Sequence, residues 1–462
     1  MNYTSKLARY AAEESYDHIP AAIIERAKGF FLHTVAVSMA GAEDPEGRKA
    51  VALGPVLGGE GNAATIFGRA EKGSLPAAAF ANGSLGDMLD WEDCSCTGHH
   101  SAGIVPGALA AAEARSRSGK DLLTAVVTAF EVYQRIAMSI RPTHERYWSH
   151  GWGLTTWQIL GSAVAASKLY GHDATRMAQS ISLSALQSTI VSAKSRDWVS
   201  DMYHLDHGMA CMNGINATSV VDAGLLGYDS GLDGDLGYWK SVSDRCDWTW
   251  LDRQLGERYL LAETLLKHWP ANMWLQQPLD LLADLTAKHG LTADNVAEIE
   301  VSPNFRVRMT YPSSGFTGLV QAQHSFPYCL ALYLIEPDVG AEWFKRSYFT
   351  DPRVIALSDK VKASGPVVEM MDVFDLYFDG SYPEVTLRVR KTTGEEYSAS
   401  IKYPKGHGSN PFTLNETAEL ADKWMSRVLT PEARKRFIDG VVNLESISDV
   451  NALTTHLRTG LL

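Results

Sequence analysis

Pro106-Gly107-Ala108-Leu109-Ala110-Ala111-Ala112-Glu113-Ala114-Arg115 breaks at Gly119 and restarts at Lys120-Asp121, with Leu122, Leu123, Val126, Val127, Phe130 and Ile136 following. Offsets of three and four among these apolar residues trace one buried stripe of a helix. The first piece is made of side chains so small that neighbouring helices can approach closely, which suits the centre of a helical domain rather than its surface. Thr155 to Tyr170 repeats the pattern with Ala, Gly and Ser. It ends at Gly171-His172-Asp173, where a glycine can supply the left-handed residue that caps a helix. The first 265 or so residues read as helical on these grounds.

After Pro270 the pattern changes. Val296-Ala297-Glu298-Ile299-Glu300-Val301 largely alternates, Val373 to Phe378 is rich in β-formers, and Val385 to Arg390 alternates with period two. Lys391-Thr392-Thr393-Gly394 then turns into a second candidate strand, Tyr397 to Tyr403, so a hairpin is expected. Helical stretches at Pro278 to His289 and His324 to Leu334 lie between, and together these elements predict a smaller α+β domain. At Asn410-Pro411-Phe412-Thr413 the chain turns helical again, with Thr413 as N-cap and Glu416 completing a capping box. The expected fold class is mainly α. A large all-helical domain covers residues 1–268, the α+β domain 269–404, and a C-terminal helical return to the first domain 405–462.

The 462 residues carry a formal net charge of -12 and no block of Lys or Arg, which argues against a nucleic-acid partner or an anionic membrane surface. A few local cations in a cleft can still bind a carboxylate whatever the global balance. Met1 to Pro20 has no apolar run of the secretory kind, and no stretch approaches the length of a membrane helix. Five cysteines, an odd count in so long a chain, fit reduced thiols in a cytoplasmic protein. No P-loop, GxGxxG or GxSxG is present, and Leu57-Gly58-Gly59-Glu60-Gly61 lacks a following Walker lysine, so nucleotide binding has no support.

Directly before the small-residue helix stand Asp90-Trp91-Glu92-Asp93-Cys94-Ser95-Cys96-Thr97-Gly98-His99-His100-Ser101. Charges and imidazoles placed where a chain enters its core are costly unless paired or used. Three chemistries are open for them. The segment can be a capped turn, a metal site drawing on Cys94, Cys96, His99 and His100, or an acid–base site in which a carboxylate orients an imidazole. A partner CxxC or HxxxH for the metal case is missing. His204-Leu205-Asp206-His207 and His150 also sit near the mouths of Gly- and Ala-rich helices, as though several helix ends converge on one pocket. Each is equally open to the plain alternative of a turn or core histidine. Lys267 lies at the domain boundary, and Arg306 and Arg308 follow the first strand; each is a candidate for holding a carboxylate or a solvated cation.

The order and spacing of these pieces resemble the MmgE/PrpD family. The matching passages are Asn82-Gly83, Asp90-x-x-Asp93 with His99, Phe130-Glu131-Val132-x-x-Arg135, His150 ahead of Gly161 to Lys168, and Gly208 through Ala217. Lys267-x-x-Pro270, His324-Ser325-Phe326-x-Tyr328 and Tyr403 to His407 complete the set. The resemblance implies that the α+β part is a lid on the helical domain, with a cleft site between them, a homodimer, and no metal or organic cofactor. It carries Asp90, Asp93, His99, His150, Lys267 and Tyr328 over as polar site positions; with the residue reading, the expected catalytic set is Asp90, Asp93, His99, His150 and Tyr203, and the expected substrate-binding set is His100, His204, Lys267, Arg308 and Tyr328. One departure stands out: where the family commonly has Lys-x-Leu-His-x-Gly, this chain has Tyr203-His204-Leu205-Asp206-His207-Gly208. Losing that cation argues against a tricarboxylate, because each buried carboxylate needs a charged or multiply hydrogen-bonded partner. The expected function is therefore a cofactor-free lyase on a small carboxylic acid. Epimerisation and a non-catalytic binding protein of the same fold are the alternatives.

Overall fold

The computed structural model describes residues 2–143, 145–146, 156–188, 200–306, 309, 314–369, 372, 375–377 and 381–462. Helices dominate. The ones that matter for the site are α1 (Tyr3–Glu13), α2 (Ala21–Gly41), α3 (Pro45–Gly58), α4 (Leu75–Asp87), α5 (His100–Ala114), α6 (Gly119–Ser139), α7 (Gln158–Tyr170), α8 (Ala174–Leu186) and α9 (Met202–Asp222). The small-residue stretch is α5, buried from His100 to Glu113 and packed against α4, α6, α7 and α9. Its small side chains make that crowding possible.

The contact between α4 and α9 is closer still. A Cβ on Gly208 would stand 2.1 Å from Ser84 Oγ and 2.3 Å from Phe80 O, so only glycine lets the two backbones meet there. Gly171 ends α7 with φ at 75°, the left-handed cap expected of it. Ser118 and Asp121 exchange hydrogen bonds in a capping box that opens α6.

Strands are few and short. β1 (Ala64–Thr65) pairs with β2 (Lys72–Gly73), and β3 (Asp93–Cys94) pairs antiparallel with β4 (Leu265–Leu266). β5 (Val296–Ser302), β6 (Val361–Ala363), β7 (Val385–Lys391) and β8 (Glu396–Ile401) form one sheet in the order β6-β5-β7-β8, parallel only between β5 and β6. Val385, Leu387 and Val389 point inward from β7, as their alternation dictates. Two helices, α10 (Gln276–His289) and α12 (Phe326–Ile335), cover the sheet, the latter preceded by the short α11 (Leu319–Gln323).

Three terminal helices follow: α13 (Leu414–Trp424), α14 (Pro431–Val442) and α15 (Asn451–Thr459). Thr413 and Glu416 form the expected capping box of α13, which packs on α2. One expectation fails. Asp375, Leu376 and Tyr377, inside the β-rich run from Val373 to Phe378, are helical. A short apolar run does not by itself separate a strand from a buried helical turn, because strand preference depends on having a neighbour to pair with. Among the described residues no helix is long and apolar enough to cross a membrane.

Candidate active site

The end of α4, the segment leading through β3 to α5, the start of α9 and the residue after β4 come together at a cluster of ionisable groups with almost no exposed surface. Asp87 is the last residue of α4, and Asp90 follows in a left-handed turn with φ at 50°, a conformation aspartate tolerates better than most residues. β3 pairs Asp93 with Leu266, and Lys267 N–H donates to Glu92 O at 3.1 Å. That ladder carries the Lys267 side chain back toward the acids. Its Nζ donates to Asp90 O (2.9 Å), to Asp90 Oδ1, and to Glu92 Oε1 (2.7 Å).

His99 faces the same oxygen. Its Nδ1 donates to Glu92 Oε1 and lies 3.0 Å from Asp87 Oδ1. Burial and Lys267 push this imidazole toward neutrality, yet Glu92 and Asp87 outweigh them and raise it to about 10, so His99 is an imidazolium at neutral pH. Glu92 moves the other way from an ordinary carboxyl. Burial drives it up to about 6 even though Lys267 and His99 pull it down. Its Oε2, like Asp90 Oδ2, makes no hydrogen bond among the described residues. Burial also disfavours a charged Lys267, but Asp90 and Glu92 hold its ammonium well above the usual lysine range.

Asp87 is the hub on the other side. His204 Nδ1 donates to Asp87 Oδ2 at 2.7 Å, and His207 Nε2 lies 3.4 Å from Oδ1. His204 Nε2 faces Gln323 Oε1 at 3.0 Å, and the Gln323 amide is fixed by its donation to Met88 O. With acceptors at both ring nitrogens, His204 is set up to carry two protons. Accordingly its pKa is raised, the Asp87 carboxylate prevailing over burial. Asp87 pays the burial penalty, but His207, His99 and His204 hold it well below the usual carboxylate range.

A second pair stands beside this one. His100 Nδ1 donates to Asp93 Oδ2 at 2.6 Å, its Nε2 meets Thr97 Oγ1 at 2.8 Å, and Ser101 N–H caps Asp93 Oδ1 at 2.6 Å. The Asp93 carboxyl stays below its ordinary range because His100 and Ser101 offset burial. Asp93 therefore orients His100, while Glu92 meets His99. The extended backbone leading into β3 explains the division: Glu92 and Asp93 are successive residues, so their side chains leave on opposite sides.

Tyr203 is buried, its ring edge-on to His99 (centroids 6.3 Å apart), to His204 and to His324 (5.3 Å each). The Tyr328 ring packs among Phe316, Phe344 and Phe349 as part of an aromatic core. His150 and Arg308 lie outside the described residues, while Arg306 reaches Glu369 at the surface. Asp87 and Gln323 escape the sequence reading, whereas His207 belongs to the His204-Leu205-Asp206-His207 cluster that it singles out. Of the two that escape, only Asp87 leaves a trace there, three residues ahead of Asp90, one helical turn away.

Cys94 and Cys96 are buried, and burial raises both thiols, Cys96 to about 12, so neither is a ready thiolate ligand. The ligand-type group is instead Asp87, Asp90, Glu92 and His99, whose donor atoms lie within 4.8 Å of one another. Lys267 Nζ already bonds two of those oxygens and does a cation's work there. A cavity of about 560 Å³ between Asp44, Trp343, Arg346 and Trp424 is lined by none of these residues. Chemistry rather than cavity size marks the site.

Comparison with known proteins gives a family match over most of the chain. Residues 5–251 match the MmgE/PrpD N-terminal domain and residues 269–446 the MmgE/PrpD C-terminal domain. The chain is 25% identical over 461 residues to a cis-aconitate decarboxylase of Homo sapiens, covering 96% of this chain and 91% of that one. A cis-aconitate decarboxylase-like protein oryM of Aspergillus oryzae is 24% identical over 483 residues (98% and 96% covered), and a cis-aconitate decarboxylase of Aspergillus terreus 23% over 483 (97% and 94%).

Proposed function

This chain belongs to the MmgE/PrpD family, and from that premise we propose that it is a cofactor-free lyase acting on a small carboxylic acid by acid–base dehydration or decarboxylation. One observation carries the proposal. The ring of His99 and the ammonium of Lys267 meet on a single carboxylate oxygen, Glu92 Oε1, in a cluster closed to solvent.

His99 is charged, its Nδ1 is tied to acids, and its Nε2 makes no hydrogen bond among the described residues. It has one proton to give. In dehydration Nε2 protonates the departing hydroxyl while a base removes the proton next to the substrate carboxylate; Glu92, near 6 and with Oε2 unbonded, suits that base. In decarboxylation the bond to the leaving carboxylate breaks, its electron pair passes to the adjacent carbon, and the His99 proton takes the place of carbon dioxide. Lys267 offsets Asp90 and Glu92, so an anion can enter and the enolate-like charge is stabilised.

The relatives' names make cis-aconitate the first acid to test. Tyr203 in the place of a family lysine favours an acid with fewer carboxylates. The same reading takes 1–268, 269–404 and 405–462 as helical domain, lid and helical return, in a cytoplasmic homodimer; the seating of α13 on α2 supports the return.

Incubation with cis-aconitate, 2-hydroxy tricarboxylates and C4 to C5 dicarboxylates in deuterium oxide, followed by carbon and proton NMR, tests the proposal. Loss of carbon dioxide or water with solvent deuterium in the product is expected. Deuterium incorporation with inversion at one carbon and no loss would instead make the protein an epimerase, a second reading favoured by the Tyr203 ring set edge-on to His99. Neither exchange nor loss with any acid would leave a binding protein of the same fold.

A further inference from the structure

Gln323 ends the short helix α11 in the α+β part, and its side chain is fully buried against the acid–base cluster. A side-chain amide has one accepting and one donating end, and its surroundings dictate which goes where. Met88 O can only accept, so the amide NH2 faces it at 3.0 Å and the carbonyl Oε1 faces His204 Nε2, also at 3.0 Å. Asp87 Oδ2, 2.7 Å from His204 Nδ1, is an acceptor as well. The ring therefore donates at both ends. Only the imidazolium has two N–H groups to do so.

The surroundings favour that form. Burial opposes a charge on His204, but Asp87, and at longer range Asp90 and Glu92, support it. Gln323 is held in place on its own side: Asn272 N–H, shortly after Lys267 in the chain, donates to Gln323 O at 3.0 Å. The next residue, His324, donates from Nδ1 to Val320 O at 2.8 Å and sets its ring edge-on to Tyr203 at 5.3 Å. One turn of chain from the α+β part thus meets Tyr203 and His204 together. With Oδ2 of Asp87 taken by His204, Oδ1 is left facing His99 Nδ1 at 3.0 Å and His207 Nε2 at 3.4 Å. A neutral His204 would satisfy only one of its two acceptors, and its hold on Asp87 would weaken.

We propose that Gln323 is a positioning residue of the acid–base site: by accepting from His204 Nε2 it commits both protons of that ring, and the ring in turn fixes the Asp87 carboxylate that His99 faces. The site is then incomplete without α11. The consequence for His99 as an acid rests on the lyase reading, whereas the state of His204 rests on the hydrogen bonds alone.

The test uses the full-length protein with isotope-labelled histidine, the ring nitrogens being observed by NMR and assigned with His204→Gln and His99→Ala. Both nitrogens of His204 are expected to carry protons at neutral pH in the unmodified protein. Gln323→Met keeps the length of the side chain and removes the acceptor. It should weaken binding of the second proton at His204 about tenfold or more, the worth of a hydrogen bond to a charged group, and shift the His99 signals with it. Gln323→Glu keeps an acceptor and should hold both protons at least as tightly as the unmodified protein, with the His99 signals restored; it decides alone if circular dichroism shows that Gln323→Met does not fold. A His204 with a single proton in the unmodified protein, one unaffected by Gln323→Met, or one that loses a proton in Gln323→Glu would overturn the assignment. None of these readouts depends on turnover, so this proposal and the lyase proposal fail separately.

Discussion

Lys267→Met tests the electrostatic heart of the site, because methionine keeps the length of the side chain and removes only its charge. Asp90 and Glu92 would then share a solvent-free space with only the His99 imidazolium left to offset them. Removing one partner of a buried ion pair typically costs about 3–5 kcal/mol. Protonation limits that loss. Glu92 stands at about 6 while Lys267 pulls it down, and without the ammonium burial and Asp87 drive it higher. Protonating a carboxyl of that value at pH 7.5 costs at most about 2 kcal/mol, at 1.36 kcal/mol per tenfold change. The variant therefore escapes part of the penalty by taking up a proton.

The sign follows from linkage. Glu92 is higher folded than unfolded, so its stabilising contribution is complete below its ordinary 4.5 and is lost as pH rises through about 6. In Lys267→Met the folded value is higher still, and the loss extends above pH 6. Urea unfolding followed by circular dichroism at pH 5.5, 6.5, 7.5 and 8.5 should show a destabilisation of about 2–4 kcal/mol at pH 7.5 that shrinks by about 2 kcal/mol at pH 5.5. A loss below about 1 kcal/mol at pH 7.5, or one independent of pH, would refute the picture of Lys267 as the counter-ion of Glu92.

Three further outcomes are expected. His99→Ala should cut turnover of the substrate found in deuterium oxide by more than about tenfold while circular dichroism stays native, and unchanged turnover would remove His99 from the acid role. Tyr203→Lys restores the family cation and should tighten binding of cis-aconitate about tenfold in calorimetry, the worth of a charged hydrogen bond; no gain would mean that Tyr203 does not face the substrate. Gly208→Ala should lower stability by about 1–3 kcal/mol in the same urea assay, because the new methyl meets Ser84 and Phe80 with no room to move.

The helices, the β7–β8 hairpin and the caps at Gly171 and Thr413 were legible in the sequence because each rests on local rules: period, turn residues, and a side chain bonding a backbone three residues on. The segment from Asp90 to His100 was legible as a site for a similar reason, since so many ionisable groups beside a small-residue helix must be paired. Which partner each one takes was not. His99 meets Glu92 and Asp87, His100 meets Asp93, and His204 meets Asp87 across 117 residues, pairings made only when α4, α9 and β4 converge. Tyr328 shows the converse, a motif residue that packing placed in an aromatic core. By itself, then, the sequence determined the helical class, the family and the stretch where charge enters the core, all properties of neighbouring residues. Only the tertiary structure decided that Lys267 and His99 share Glu92 Oε1, because that meeting depends on a β-ladder that sets Lys267 beside Glu92, 175 residues away, and on burial that makes each charge need the other.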